Sequence, residues 1–211
     1  HRSLLKAGMG AVTLSFDGLK EKHNWLRNHK QACEHVVSAL ELITREKRLN
    51  YDVVTCVNRR NIDELELLRD QLITLQVSKW RIFTIAPIGR AANEELTRLN
   101  ANEMQRLMQF IEKNRYHDGL KLSFSCEGFT GPYEGVVRDG FFFCRAGIHI
   151  GSILNDGSVS ACPNIDRAFI QGSIYRRDFF DIWDNEYQLM RNRSWTRTGM
   201  CAKCNTYKWC R

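Results

Sequence analysis

Between Val12 and Phe124 this chain alternates short β-rich runs with longer stretches of helical periodicity, and that alternation limits the folds open to it more than any other feature. Val12 to Phe16 is a β-rich run ended by the turn signal Asp17-Gly18. From about Glu21 to Arg48, Leu26, Cys33, Val37, Leu40 and Leu42-Ile43 recur at helical spacing. Tyr51 to Val57 is a second strand, stopped by Asn58-Arg59-Arg60-Asn61. Asn61 has the spacing of an N-cap with Glu64 three residues on, and the helical pattern then continues to about Leu75. Trp80 to Ile85 is a third strand, ended at Ala86-Pro87-Ile88-Gly89-Arg90 because Pro87 cannot donate to a ladder. Leu99 to Asn114 reads as a helix with Met104, Leu107, Met108 and Ile111 on one face, and Leu120 to Phe124 as a fourth strand. Three such alternations predict an α/β fold of parallel strands and crossover helices, about half of a βα barrel.

After Cys126 the texture changes to Gly-, aromatic- and Cys-rich sequence, which places a domain boundary near residue 135: residues 1–135 form the partial barrel and 136–211 a second unit. Ile148 to Leu154 and Ser158 to Ala161 flank Asn155-Asp156-Gly157, residues suited to the positive φ of a tight hairpin. Asp178 to Met190 reads as one short helix. Five of the eight cysteines fall in the last 68 residues, and three of those form Cys201-x2-Cys204-x5-Cys210. Two residues between cysteines let both sulfurs of a tight turn face one metal ion. Either Cys144 and Cys162 complete the ligand set or the natural protein continues past Arg211; the second is expected. Iron-sulfur, zinc, a disulfide and empty thiols all remain open for these residues on spacing alone.

Composition narrows the function classes. A chain of 211 residues with 43% hydrophobic content can bury a sizeable core. No run of about 18 apolar residues and no signal-peptide pattern is present. Uneven cysteine spacing favours ligands over secreted disulfides, hence a reducing cytoplasm. The net charge of +7 is mixed with acidic residues along most helices, as on a solvated surface. No nucleic-acid partner is expected; the local candidate, Arg191 to Arg197, reads more simply as a surface loop before the cysteine turn.

Cys144, twelve residues, Gly157, four residues, Cys162, and then the Cys201, Cys204, Cys210 triplet resemble the SPASM domain of radical S-adenosylmethionine (SAM) enzymes. Gln171-Gly172-Ser173-Ile174 and Phe180-Asp181-Ile182-Trp183 look like its connecting segment. Upstream, Gly8-x5-Leu14-Ser15-Phe16-Asp17-Gly18 looks like the fourth strand of the family's barrel, Val57-Asn58 the fifth and Pro87 to Ala91 the sixth. The resemblance implies the C-terminal half of a partial (β/α)6 radical SAM barrel, followed by a truncated SPASM-like auxiliary cluster domain. It also implies a parent enzyme that generates a 5′-deoxyadenosyl radical to modify a peptide or protein substrate, an oxidoreductase or maturase. The cofactors implied are 4Fe-4S clusters and S-adenosylmethionine, with zinc an option for the fragment, and the implied electron donor is a ferredoxin or flavodoxin. The family's Cys-x3-Cys-x2-Cys loop is not among these residues, so the fragment alone is expected to be inactive.

By the same resemblance Cys201, Cys204 and Cys210 hold one auxiliary cluster, Cys144 and Cys162 begin another, and Cys126 is a reserve. Ser15 and Asn58 correspond to positions that contact S-adenosylmethionine. Asp17 is divided equally between that role and turn chemistry, and Gly89 lets the backbone approach the adenine or simply turns the chain. Cys33 and Cys56 fall on apolar periodic positions and read as core thiols. His149 reads as a satisfied strand histidine, Arg90 as a surface ion pair, Trp183 and Trp195 as packing, and Trp209 as a cluster shield. The alternative function is a non-catalytic, metal-stapled binding module. An open half barrel also predicts self-association through its strand edges.

Overall fold

The computed structural model describes residues 2–125 and 128–210, which fall into two compact units divided between Phe141 and Phe142. In the first unit, helix α1 (Arg2–Lys6) precedes strand β1 (Ala11–Ser15). Helices α2 (Lys20–Arg27) and α3 (Ala32–Ile43) lead to β2 (Asn50–Val57), and α4 (Leu65–Thr74) to β3 (Lys79–Thr84). Helix α5 (Ala101–Lys113) is followed by β4 (Tyr116–His117) and β5 (Leu120–Phe124). The sheet order is β1-β2-β3-β5-β4; β1, β2, β3 and β5 pair in parallel, and only the short β4 is antiparallel. This is the partial-barrel α/β architecture that the alternation predicts.

Alternation along the strands decides which face is covered. Val53, Val57, Trp80, Ile82, Leu120, Leu122 and Phe124 point to one side and bury themselves against Val36, Leu40, Leu68, Leu72, Leu107 and Ile111 of the helices. The opposite face carries Thr13, Asp52, Arg81 and Ser123 around a cavity of about 410 Å³ that also meets Lys79, Lys121 and Asp139. There Thr13 Oγ1 donates to Asp52 Oδ1 at 2.7 Å, and Arg81 pairs with the other carboxylate oxygen.

Two readings of local structure are corrected. The stretch from Glu21 to Arg48 is two helices, broken at Asn28 with φ 50°. Asn24 holds the break: its Nδ2 donates to the Lys30 carbonyl at 2.6 Å and its Oδ1 accepts the Cys33 N–H at 2.8 Å. Asn61 makes no cap for α4; its side chain is committed elsewhere, and a 3-10 turn, Ile62–Glu64, opens the helix. The capping box belongs to α5, where Asn100 accepts the Glu103 N–H at 2.9 Å and Glu103 accepts the Asn100 N–H at 2.6 Å.

In the second unit, β6 (Ser152–Ile153), β7 (Ser158–Ser160) and β8 (Gly172–Ser173) form an antiparallel sheet. The Asn155-Asp156-Gly157 turn closes the first hairpin, with the Leu154 N–H donating to the Ser158 carbonyl at 2.8 Å. Val159, Ala161, Ile182, Tyr187 and Met190 form its core. The segment read as one helix is two, α6 (Phe179–Asn185) and α7 (Gln188–Arg191), separated by Tyr187 at φ 62°. Helix α8 (Tyr207–Cys210) ends the described chain.

The close packing of α7 on the turn after Cys144 rests on Gly147. Its φ is +70°, and a Cβ there would lie 2.5 Å from Met190 Cβ. Gly147→Ala is expected to lose about 1–2 kcal/mol from the left-handed backbone and a further ~1–3 kcal/mol from overpacking. Urea unfolding of the two proteins measures this; an unchanged midpoint would refute the close approach.

Candidate functional site

Barrel ligands gather at the carboxyl ends of the parallel strands, and in this protein that edge carries a buried polar network centred on Asp17. The carboxylate is fully buried two residues beyond β1. Arg27 Nε donates to its Oδ2 at 2.6 Å and the Cys56 N–H to its Oδ1 at 2.8 Å. His23 Nδ1 lies 3.3 Å from Oδ2 and 3.0 Å from the Asp17 backbone nitrogen. Burial pushes the carboxyl up, but the hydrogen bonding of His23 and Arg27, the Arg27 charge and the Cys56 N–H outweigh it, so Asp17 titrates below the ordinary value.

Asn61, buried between β1 and β2, donates to the Asp17 carbonyl at 2.5 Å and the Cys56 carbonyl at 2.9 Å while accepting the Asn58 N–H at 2.7 Å. Asn58 closes its own turn: Nδ2 donates to the Cys56 carbonyl at 3.2 Å, and Oδ1 accepts the Arg60 N–H at 2.9 Å. Ser15 is half-buried at the end of β1, on the open face with Thr13. Gly89 begins a 3-10 turn at φ 57°, with nothing within 4 Å of where a Cβ would stand. The structure thus brings Asp17, Asn58 and Ser15 to one strand edge; Asp17 and Asn58 are both engaged by protein partners.

Sequence reasoning missed His23, Arg27 and Asn61 in this network. His23 and Arg27 stand four apart on α2, one helical face, six and ten residues after Asp17, which is a readable signal. Cys56 sits beside the network, and burial followed by the Asp17 charge pushes its thiol up to about 11. Cys33 is buried, and its thiol is likewise raised by burial. Cys33 belongs to the core of the first unit, as its periodic position predicts, whereas Cys56 is only partly buried and lies outside that core, which corrects its reading as a core thiol.

The other four described cysteines lie in the second unit and are all free thiols. Cys144 is exposed, and its carbonyl accepts from Arg193 Nη2 at 2.8 Å. Cys162 packs against the core of the unit, and its Sγ accepts the Asn164 N–H at 3.5 Å. Cys201 and Cys204 are exposed on the 3-10 turn Gly199–Lys203 and just after it, with the Cys204 N–H donating to the Cys201 carbonyl at 3.3 Å. The Thr206 hydroxyl, 3.1 Å from Sγ, and then the Thr206 N–H hold Cys204 below the usual thiol range. Cys126 and the Cys210 side chain lie outside the described residues.

Among the described residues no three His, Cys, Asp or Glu side chains converge as a ready metal site. The donor set still fits an iron-sulfur cluster in its chemistry: soft thiols free of disulfides, one with an N–H···S bond and one held toward thiolate. His149 is exposed in the 145–150 turn, and Arg90 is exposed after β3. Trp183 stacks on Phe179 and receives the Arg191 guanidinium at 5.1 Å; Trp195 stacks on Phe169; Trp209 is exposed beneath the Lys208 ammonium. Among the described residues no helix is long and apolar enough to cross a membrane.

Residues 144–205 match SPASM, an iron-sulfur cluster-binding domain. An AdoMet-dependent heme synthase of Methanosarcina barkeri (strain Fusaro / DSM 804) is 21% identical over 229 residues, 98% of this chain and 63% of that protein. The synthase of the same name from Oleidesulfovibrio alaskensis is 23% identical over 97% of this chain and 56% of its own length. Among solved structures, Streptococcus suis SuiB bound to S-adenosylmethionine superposes with a TM-score of 0.66 at 15% identity, covering 95% of this chain and 48% of that one. The anSMEcpe structure with bound AdoMet and Cp18Cys peptide gives 0.66 at 15% identity, covering 98% and 60%. The chain therefore spans between about half and 63% of the length of the relatives it matches. The thiols of the second unit and the parallel half barrel of the first agree with these matches, and the chain is a relative of the radical S-adenosylmethionine enzymes that carry a SPASM domain.

Proposed function

We propose that this chain is the part of a radical SAM enzyme that carries the later barrel strands and an auxiliary iron-sulfur domain, and that the whole protein modifies a peptide or protein. The observation that carries the reading is the set of four free thiols, Cys144, Cys162, Cys201 and Cys204, in one compact unit with the SPASM match. These thiols, with Cys210, would hold the auxiliary cluster. Ser15, Asp17, Asn58 and Gly89 would line the S-adenosylmethionine side of the strand edge, Ser15 as a hydroxyl partner and Asp17 by fixing Arg27. S-adenosylmethionine, reductively cleaved at an iron-sulfur cluster, supplies the radical such enzymes use. Lacking the Cys-x3-Cys-x2-Cys loop, these 211 residues by themselves would not cleave it.

Metal and acid-labile sulfide analysis of the anaerobically purified chain, with its electron paramagnetic resonance (EPR) spectrum after reduction, tests this. About four iron and four sulfide per chain are expected, falling to near zero in the Cys201→Ser/Cys204→Ser variant. One zinc without sulfide would instead support a metal-stapled binding module. The peptide substrate is supported by structural neighbours bound to the precursor peptide SuiA and to the Cp18Cys peptide.

A second reading is a tetrapyrrole substrate: Lys79, Arg81 and Lys121 line the cavity on the open sheet face, where ligand carboxylates would compete with Asp52 for Arg81 and with Asp139 for Lys121. The names of the relatives agree, AdoMet-dependent heme synthase and Fe-coproporphyrin III synthase. Titration with iron coproporphyrin III separates the two readings; saturable binding that Arg81→Ala weakens supports the tetrapyrrole, and no binding supports the peptide.

A further inference from the structure

The 25 residues from Tyr187 to Arg211 hold six cations, Arg191, Arg193, Arg197, Lys203, Lys208 and Arg211, and no acidic residue. One of them is built into the turn that carries Cys144. Arg193 Nη2 donates to the Cys144 carbonyl at 2.8 Å and also lies 3.4 Å from that of Ala146. Its Nε donates to the Met190 carbonyl at 2.8 Å, and its guanidinium stands 5.6 Å from the Phe143 ring centre. Arg191 grips the same turn at Gly147, with Nε on its carbonyl at 3.1 Å, and ties it to α6 with Nη2 on the Trp183 carbonyl at 2.6 Å. Gly147, packed on Met190, completes the clamp.

Every acceptor of Arg193 is a neutral backbone carbonyl, and among the described residues no carboxylate pairs with it. Carbonyl dipoles orient the guanidinium without cancelling its charge, so a full positive charge is fixed at the peptide of Cys144. The planar fork also fixes that peptide, and with it the direction in which the thiol leaves the chain.

We propose that Arg193 is a positioning residue for the auxiliary cluster: it orients Cys144 as a ligand and raises the reduction potential of the cluster that Cys144 helps hold. The inference rests on the iron-sulfur reading above. A fixed cation stabilises the more negative, reduced state of a thiolate-bound cluster, and its removal makes reduction harder.

The test uses the 211-residue chain reconstituted with iron and sulfide and compares wild type, R193Q, R193K and the control R197Q, an exposed cation of the same segment. The readouts are iron and sulfide per chain, thermal unfolding, and a dithionite titration followed by EPR. In R193Q the ratio of oxidised to reduced cluster at a fixed potential should rise about tenfold, a downward shift of about 59 mV for a one-electron couple. R193K keeps the charge but not the fork, so its potential should stay near wild type while its iron content falls. R197Q should match wild type in both. A loaded R193Q with unchanged potential and iron content would overturn the inference and leave the iron-sulfur reading standing. Wild type that takes up no iron or sulfide would overturn that reading itself. Should R193Q fail to fold, R193K decides: full iron content there refutes the positioning role.

Discussion

Asp17→Ala is expected to destabilise the first unit by about 3 kcal/mol, the lower end of the range for breaking a buried ion pair, because Arg27 keeps some contact with water. The loss has three parts: Arg27 gives up its carboxylate, the Cys56 N–H loses its acceptor, and a buried space opens between β1 and β2. Asp17→Asn keeps the volume and an acceptor but not the charge, so it should fall between wild type and Asp17→Ala. The pH dependence has a definite sign. Asp17 titrates lower in the folded protein than in the unfolded chain, so its contribution is complete above about pH 4 and is lost as pH falls below that value. Urea midpoints of wild type and Asp17→Ala, measured from pH 7 down to pH 3, check both statements. A stability gap that stays constant across that range would contradict the depressed titration.

Trp80→Ala is the second large effect, with an expected loss of about 3–5 kcal/mol, the usual cost of removing a large aromatic from a packed core. Trp80 is fully buried on β3, meets Phe110 edge-on at 6.0 Å between ring centres, and donates from Nε1 to Thr55 Oγ1 at 2.7 Å. Thr55 in turn donates to the Phe16 carbonyl at 2.5 Å, so the indole anchors a chain of hydrogen bonds running from β3 through β2 to the end of β1. Trp80→Phe retains most of the packing and loses the donor; its cost should be nearer 1–2 kcal/mol, the penalty of an unmade buried hydrogen bond. Chemical denaturation of both variants measures the split. Equal losses would mean that the hydrogen bond, rather than the filled volume, dominates at this site.

The particular elements show what a sequence carries in this fold. Strands β1, β2, β3 and β5 were legible because each is a short β-rich run cut by Gly, Pro or Asn, and the helical stretches between them left parallel pairing as the economical solution. The helix break at Asn28 carried a signal that was passed over, because Asn readily takes the left-handed cap, whereas that at Tyr187 was not legible, since an aromatic residue seldom adopts positive φ. Tyr187 does so because its ring is fully buried, its hydroxyl donates to the Ser160 carbonyl at 3.0 Å and its N–H donates to Gln171 Oε1 at 2.9 Å. A contact 27 residues away outweighs local helical preference there. The antiparallel β4 was overlooked although the Asp118-Gly119 pair, at φ 46° and 79°, announces its hairpin with β5.

For the candidate site the division is similar. Spacing alone singled out Cys144, Cys162, Cys201 and Cys204, because metal-binding turns are local and their ligands recur at fixed intervals. Strand ends together with the family resemblance singled out Ser15, Asp17 and Asn58. The amino-acid sequence by itself determined that the chain is α/β, with parallel strands and a separate cysteine-rich segment, since periodicity and turn residues act over a few positions. Only the tertiary structure decided that Asp17 receives Arg27 and the Cys56 N–H, 10 and 39 residues away, and that Arg193 binds the carbonyl of Cys144 across 49 residues. Such pairings are set by which faces pack together, and burial in a low-dielectric interior then makes those of Asp17 energetically decisive.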